Sequence, residues 1–360
     1  MPEEEMSVFM GVSRRDFLKF CGGIAVLIGV GPAGAPEVAE ALTNLAKRPS
    51  VVWSSFQECT GCAISLLQSR TPEVANLILK QISVDYQENV MAAAGDAADK
   101  TFNDAVAKGG FYWVVEGGIP TKIPEAMSVH GKTAGDITKE TYPKAAATIA
   151  IGSCACYGNI QAAKPNPTGS VGVADYLKAN GVPNPVVVNL SRCPGNAEDL
   201  ITVLSAVLVT GKVPELDSIG RPKFLYGSTI HDGCFRRGHF EASEFATSYN
   251  DPNIGEGWCL YKLGCKGPVT FAPCGVTQWN GHVSWCVHNG PCIGCSEPEF
   301  WDKLTPFGAQ LPGIGAFPAQ TIGEVVGAAT VVGLAAHLIG SAATGRLGGG
   351  KDEETKGGRS

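Results

Sequence analysis

The sequence predicts an α/β protein, with an open parallel sheet in its N-terminal half and an irregular, loop-rich C-terminal region. Two observations carry that expectation. Three short apolar segments, VVWSS (Val51–Ser55), TIAIG (Thr148–Gly152) and VVVNL (Val186–Leu190), each run into a cysteine-bearing loop. Helical patterns follow the first and third loops, AISLLQSR and AEDLITVLSAVL. Over 216–311 the sequence is instead Gly-rich and loop-like, with further cysteines. With 360 residues, 44% hydrophobic, the chain can bury a core for two domains plus appendages. A net charge of −6 and the lack of a basic stripe interleaved with aromatics argue against a nucleic-acid partner. Thirteen cysteines is a high and odd count.

The N-terminal segment 1–41 reads as a twin-arginine export signal. Ser-Arg-Arg-Asp-Phe-Leu-Lys stands directly before the apolar run CGGIAVLIGVGPAGA, which is short and Gly-rich for an ordinary anchor. Ala39 and Ala41 supply a small-residue cleavage site after Ala41. Cys21 leaves with this segment.

The body, 42–215, holds the three strand–loop units. In an open parallel sheet, ligands gather beyond the carboxyl ends of the strands. Cys59, Cys62, Cys193 and one of Cys154 or Cys156 are therefore expected to converge, giving four soft ligands. FYWVVEGGIP (Phe111–Pro120) supplies a similar edge without cysteine, where glycines let the backbone turn tightly. The region 216–311 carries a second set, His231, Cys234, Cys259 and Cys265, and a third, Cys274, Cys286, Cys292 and Cys295. An exported chain invites a disulfide reading, but Cys59-Thr-Gly-Cys62 and Cys292-Ile-Gly-Cys295 close loops too tight for ordinary bridges. Twin-arginine export moves folded proteins, so clusters built in a reducing cytoplasm travel intact. Iron–sulfur ligation is the expectation; zinc is the alternative, Cys3His being an ordinary zinc donor set.

The segment 318–345 is expected to be a transmembrane anchor. Val325–Gly345 runs 21 residues without Asp, Glu, Lys or Arg, long enough for a bilayer, with a buried core helix as the alternative. Glu324 marks its outer boundary. Arg346, Lys351, Lys356 and Arg359 in the tail 346–360 place that end in the cytoplasm and the body outside.

Taken together, ECTGC, IGSCACYGNIQAAKPNPTG, RCPGN, IHDGC, GWCLYKLGCKGP and PCIGCSEPEFWD make the chain resemble the small, electron-transferring subunit of membrane-bound NiFe and NiFeSe uptake hydrogenases over essentially its whole length. The resemblance implies a flavodoxin-like N-terminal domain with a proximal 4Fe–4S cluster on Cys59, Cys62, Cys154 and Cys193, leaving Cys156 as a structural thiol. It implies a distal 4Fe–4S cluster on His231, Cys234, Cys259 and Cys265, and a medial cluster on Cys274, Cys292 and Cys295. Cys286 falls where the selenium-containing branch has a fourth ligand, so a 4Fe–4S medial cluster is favoured over 3Fe–4S. Oxygen-tolerant members carry two further cysteines, at positions that are Gly61 and Asn159 here, implying a conventional oxygen-sensitive proximal cluster.

The implied function is electron transfer from H2, split at a Ni–Fe centre in a separate large subunit, through the three clusters to a membrane cytochrome b and quinone. The implied assembly is a dimer of heterodimers on the periplasmic face of the cell membrane. No catalytic residue is expected in this chain, with Glu58 either assisting proton movement or serving as an ordinary polar loop residue. His337, inside the expected anchor, either meets the cytochrome or lies in a helix interface. A multi-cluster iron–sulfur carrier of another respiratory oxidoreductase is the rival reading, since the proximal-cluster region also resembles the quinone-reductase subunit of respiratory complex I.

Overall fold

The computed structural model describes residues 14–27, 31–36, 38, 49–69, 82–279, 285–311, 330, 332–337 and 341. Five strands form one sheet: β1 (Ser50–Ser55), β2 (Ser83–Tyr86), β3 (Tyr112–Glu116), β4 (Ala147–Ile151) and β5 (Val187–Leu190). All neighbours are parallel, in the order β2-β1-β3-β4-β5, which is the flavodoxin-type doubly wound order. Three of these strands match the apolar segments read from the sequence, and β3 lies within FYWVVEGGIP. Strand β2 (SVDY) is an addition, because its only apolar positions alternate with Ser and Asp at one sheet edge.

Side chains alternate between two cores, as the period of a strand demands. Val51, Trp53, Val114, Ile149, Ile151, Val188 and Leu190 face helices α2 (Gly61–Leu67) and α7 (Ala197–Thr210). Val52, Trp113, Val115, Ala150 and Val187 face the other side, against α3 (Asp96–Lys108), α4 (Ala134–Thr141) and α6 (Val173–Ala179). Both tryptophans of the sheet keep a partner for the indole N–H: Trp113 donates to Ser54 Oγ at 3.0 Å and Trp53 to Glu116 Oε2 at 3.3 Å. After β4 the chain enters the short helix α5 (Gly152–Tyr157). The turn after β3 does need its glycine: Gly117 has φ +97°, and a Cβ there would meet the Gln57 carbonyl at 2.8 Å.

Between Thr210 and Leu311 the described helices are single turns, Lys223–Tyr226, Arg237–Glu241, Cys274–Thr277 and Phe300–Lys303, with short 3-10 turns. This region adds its apolar residues to the α2/α7 core, through Leu225, Tyr226, Ile230, Leu260, Trp285 and Val287. Arg221, 7% exposed at its side chain, pins it further by pairing with Asp217 at 2.8 Å and Glu297 at 2.9 Å. The expected export signal overlaps helix α1 (Arg14–Leu27), whose Cys21 and Ala25 are buried. The expected anchor, 318–345, lies mostly outside the described residues. Among those described, no helix is long and apolar enough to cross a membrane; 332–337 is helical and exposed, His337 included.

Candidate metal centres

The parallel sheet delivers the first thiol group. Cys59 lies in the loop after β1, Cys62 is the second residue of α2, Cys154 sits on α5 after β4, and Cys193 follows β5. These four feel one another's charge. Asn159 Nδ2 donates to Cys154 Sγ at 3.2 Å and Cys193 Sγ at 3.3 Å, and Gly195 N–H donates to Cys62 Sγ at 3.2 Å. The group also demands close backbone approach. Gly152 has φ +80°, and a Cβ on it would stand 2.4 Å from Cys62 Sγ. Thr60, between the first two thiols, holds φ 64°, a strained value for a β-branched residue.

Of the two cysteines on α5, Cys154 belongs to this group and Cys156 lies outside it. Cys156 is packed in the opposite core, its Sγ 3.4 Å from the Ala150 carbonyl. Sequence reasoning missed two polar residues here. Asn159 is the shared sulfur donor. Glu116, at the end of β3 and 1% exposed, accepts the N–H groups of Cys62 (2.9 Å) and Ala63 (3.1 Å), so it caps α2 from a distance. A carboxylate closing the apolar run FYWVVE was the available signal. Burial, then the neighbouring Glu58, push Glu116 up to about 7. Glu58 is itself raised, mainly by burial; Oε1 accepts from Thr60 Oγ1 at 3.3 Å, while Oε2 is buried without a partner among the described residues.

Cys274, Cys286, Cys292 and Cys295 wall a cavity of about 390 Å3, together with Cys193 and Arg192. Cys286 and Cys292 share a hydrogen bond that draws Cys286 down to about 7 against the opposing effect of burial. His231, Cys234, Cys259 and Cys265 line a separate, smaller cavity. Desolvation, then Arg237, lower His231, which favours the neutral imidazole that a metal requires. Its ring meets Phe240 edge-on at 4.6 Å. Arg236, 3% exposed, binds this set to the preceding one: it donates to the carbonyls of Trp258 (2.8 Å), Ile254 (3.2 Å), Val287 (3.0 Å) and His288 (3.3 Å).

The three groups form a row that differs from their order in sequence. Cys193 borders the cavity walled by the third group, and Ser153 Oγ donates to the Cys295 carbonyl, so the first group abuts the third. The Cys292 N–H donates to Cys265 Sγ at 3.4 Å, so the third abuts the second. The cavity walled by Cys274, Cys286, Cys292 and Cys295 therefore lies between the other two groups.

The donor chemistry fits iron–sulfur clusters. None of the twelve cysteines from Cys59 to Cys295 is in a disulfide, which counts against the disulfide reading. Among the described residues no three Cys, His, Asp or Glu side chains close on a point able to hold a single metal ion, as zinc would need; in two groups the sulfurs border a void instead. Burial pushes Cys154 and Cys274 up to about 11 and Cys259 up to about 12. Thiols held protonated this way become ligands only when a cationic centre compensates their charge.

Residues 226–308 match the family model for the C-terminal part of the NiFe/NiFeSe hydrogenase small subunit, and residues 59–207 match that for the 20 Kd subunit of NADH ubiquinone oxidoreductase. The chain is 49% identical over 310 residues to periplasmic NiFe hydrogenase small subunit 1 of Nitratidesulfovibrio vulgaris, covering 84% of this chain and 95% of that one. It is 39% identical over 345 residues to the quinone-reactive Ni/Fe-hydrogenase small chain of Wolinella succinogenes, covering 91% and 96%. A solved structure of the reduced, active Ni-Fe-Se hydrogenase from Desulfomicrobium baculatum superposes with a TM-score of 0.68 at 36% identity, over 74% of this chain and 100% of that one.

Proposed function

Because the chain belongs to the NiFe/NiFeSe hydrogenase small-subunit family, we propose that its three thiol groups are the stations of an electron relay serving a partner large subunit. It is the electron-transfer partner of that subunit, which holds the catalytic site. The observation that carries the reading is the row itself: one group abuts the next through Ser153–Cys295 and Cys292–Cys265 contacts. Cys59, Cys62, Cys154 and Cys193 would hold the proximal 4Fe–4S cluster. Cys274, Cys286, Cys292 and Cys295 would hold the medial one, and His231, Cys234, Cys259 and Cys265 the distal one. Such clusters supply one-electron transfer when bound.

The chain's own residues adjust those stations. Asn159 and Gly195 N–H groups on sulfur stabilise accumulated negative charge, and Glu116 fixes the helix that presents Cys62. His231 replaces a thiolate by a neutral ligand, which raises the potential of the outermost station. Glu58, half-buried with one oxygen unpartnered among the described residues, is suited to pass a proton near Cys59.

The same reading includes twin-arginine export over 1–41 and a C-terminal anchor over 318–345. It places the body on the periplasmic face, with a cytochrome b or equivalent as quinone-reducing partner and a dimer of heterodimers as the assembly. The periplasmic and quinone-reactive relatives support it. The deciding experiment is purification from the membrane fraction: the chain should carry a nickel-containing partner and give hydrogen-dependent dye reduction. Iron-loaded chain without nickel or hydrogen activity would leave a simple carrier. For the medial station, the wild type should lack a strong oxidised three-iron paramagnetic signal, and Cys286→Ser should gain one.

A further inference from the structure

Arg192 stands between the first two stations of the row. It precedes Cys193, and its side chain, 2% exposed, borders the cavity walled by Cys274, Cys286, Cys292 and Cys295. Nη1 donates to the Gln278 carbonyl at 3.2 Å and Nη2 to Thr277 Oγ1 at 2.9 Å and Asp199 Oδ1 at 3.4 Å. Nε lies 3.0 Å from Asp199 Oδ2, off the N–H axis, so this contact is an ion pair and not a hydrogen bond. Asp199, on α7 and 1% exposed, does not border the cavity. The pair is thus a fixed dipole whose positive end is nearer the thiols.

Fold stability alone gives no reason for a full charge here. Desolvating a buried ion pair costs about as much as the pairing returns, and Asn196 Nδ2 already fastens the same Gln278 carbonyl at 3.1 Å. A charge matters more to what it faces. Arginine stays protonated in a protein interior, and a guanidinium beside a four-thiolate site favours its more negative, reduced level. The first group has a different wall, with Glu116 and Glu58 on its side.

We propose that Arg192, backed by Asp199, sets the reduction potential of the middle cluster and raises it, drawing electrons onward from the proximal one. This rests on the cluster assignment above, so the test reads each cluster separately in the assembled heterodimer. Redox titration followed by paramagnetic resonance would compare wild type with R192K, R192M/D199N and D199N, after iron content has shown all clusters present. In R192M/D199N the reduced-to-oxidised ratio of the middle cluster at fixed potential should fall at least tenfold, about 59 mV for one electron. R192K should stay within threefold of wild type. D199N keeps the guanidinium and its bonds to Thr277 and Gln278 while removing the opposing charge, so its shift should be upward. A middle-cluster midpoint unchanged in R192M/D199N and D199N, or a uniform drift of all three clusters, overturns the proposal and leaves Arg192 a structural clamp. Absence of three clusters in the wild type would instead refute the relay reading.

Discussion

Gly152→Ala should cost the protein its proximal cluster. The perturbation has two parts that the structure separates. Gly152 has φ +80°, and an L-residue in such left-handed backbone costs about 1–2 kcal/mol. The added Cβ also falls 2.4 Å from Cys62 Sγ, about 1 Å short of ordinary contact at 3.4 Å. Metal–ligand distances hold to about ±0.2 Å, so a displacement of this size is several times what a cluster tolerates. Cys62 has little freedom to retreat: Gly195 N–H holds its sulfur at 3.2 Å, and Glu116 holds the N–H groups of Cys62 and Ala63. The assay is iron and acid-labile sulfide per assembled heterodimer, corrected for the large subunit's own iron, with the paramagnetic signals of the remaining clusters. About twelve small-subunit irons should fall to about eight. Gly211→Ala is the control. Gly211 has φ +66° with nothing within 4 Å of its would-be Cβ, so it pays the backbone cost without the collision and should keep full iron. A Gly152→Ala protein with full iron and an unchanged proximal signal would refute both the placement of Cys62 and its role as ligand.

Asn159→Gly removes both N–H···S bonds while suiting the local φ of 52°; the proximal reduced-to-oxidised ratio at fixed potential should drop roughly tenfold, and an unmoved midpoint would show that the amide does not tune the site. Cys156→Ser should leave iron content intact and cost about 1–2 kcal/mol, since the buried hydroxyl can donate to the Ala150 carbonyl, whereas Cys154→Ser should lose the proximal signal. The reverse pattern would exchange the two cysteines' roles. Arg221→Met strands Asp217 and Glu297, both partly solvated, and should destabilise by about 2 kcal/mol. A lower apparent unfolding temperature with normal iron is the expected result.

The sequence by itself determined where the thiols lie along the chain and the local frame that carries them. Apolar runs with a cysteine loop beyond them identified β1, β4 and β5, and the loop-rich composition over 216–311 agrees with the single-turn helices among the described residues there. These signals are local: strand periodicity, turn residues and ligand spacing act over a few residues. What required tertiary structure was every relation between distant segments. Spacing alone left Cys154 and Cys156 open, and only the family resemblance favoured Cys154; as helix α5, SCACYG turns residues two apart about 200° from each other, one toward the thiols and one into the far core. Glu116 is a terminal strand residue in sequence and a helix cap in space. Cys274–Cys295 comes last along the chain yet lies in the middle of the row, because the first group reaches it through Cys193 and Ser153 and the second through Cys265. Which loop lies between which others depends on chain crossings that no local pattern encodes, and those crossings fix the order of the stations.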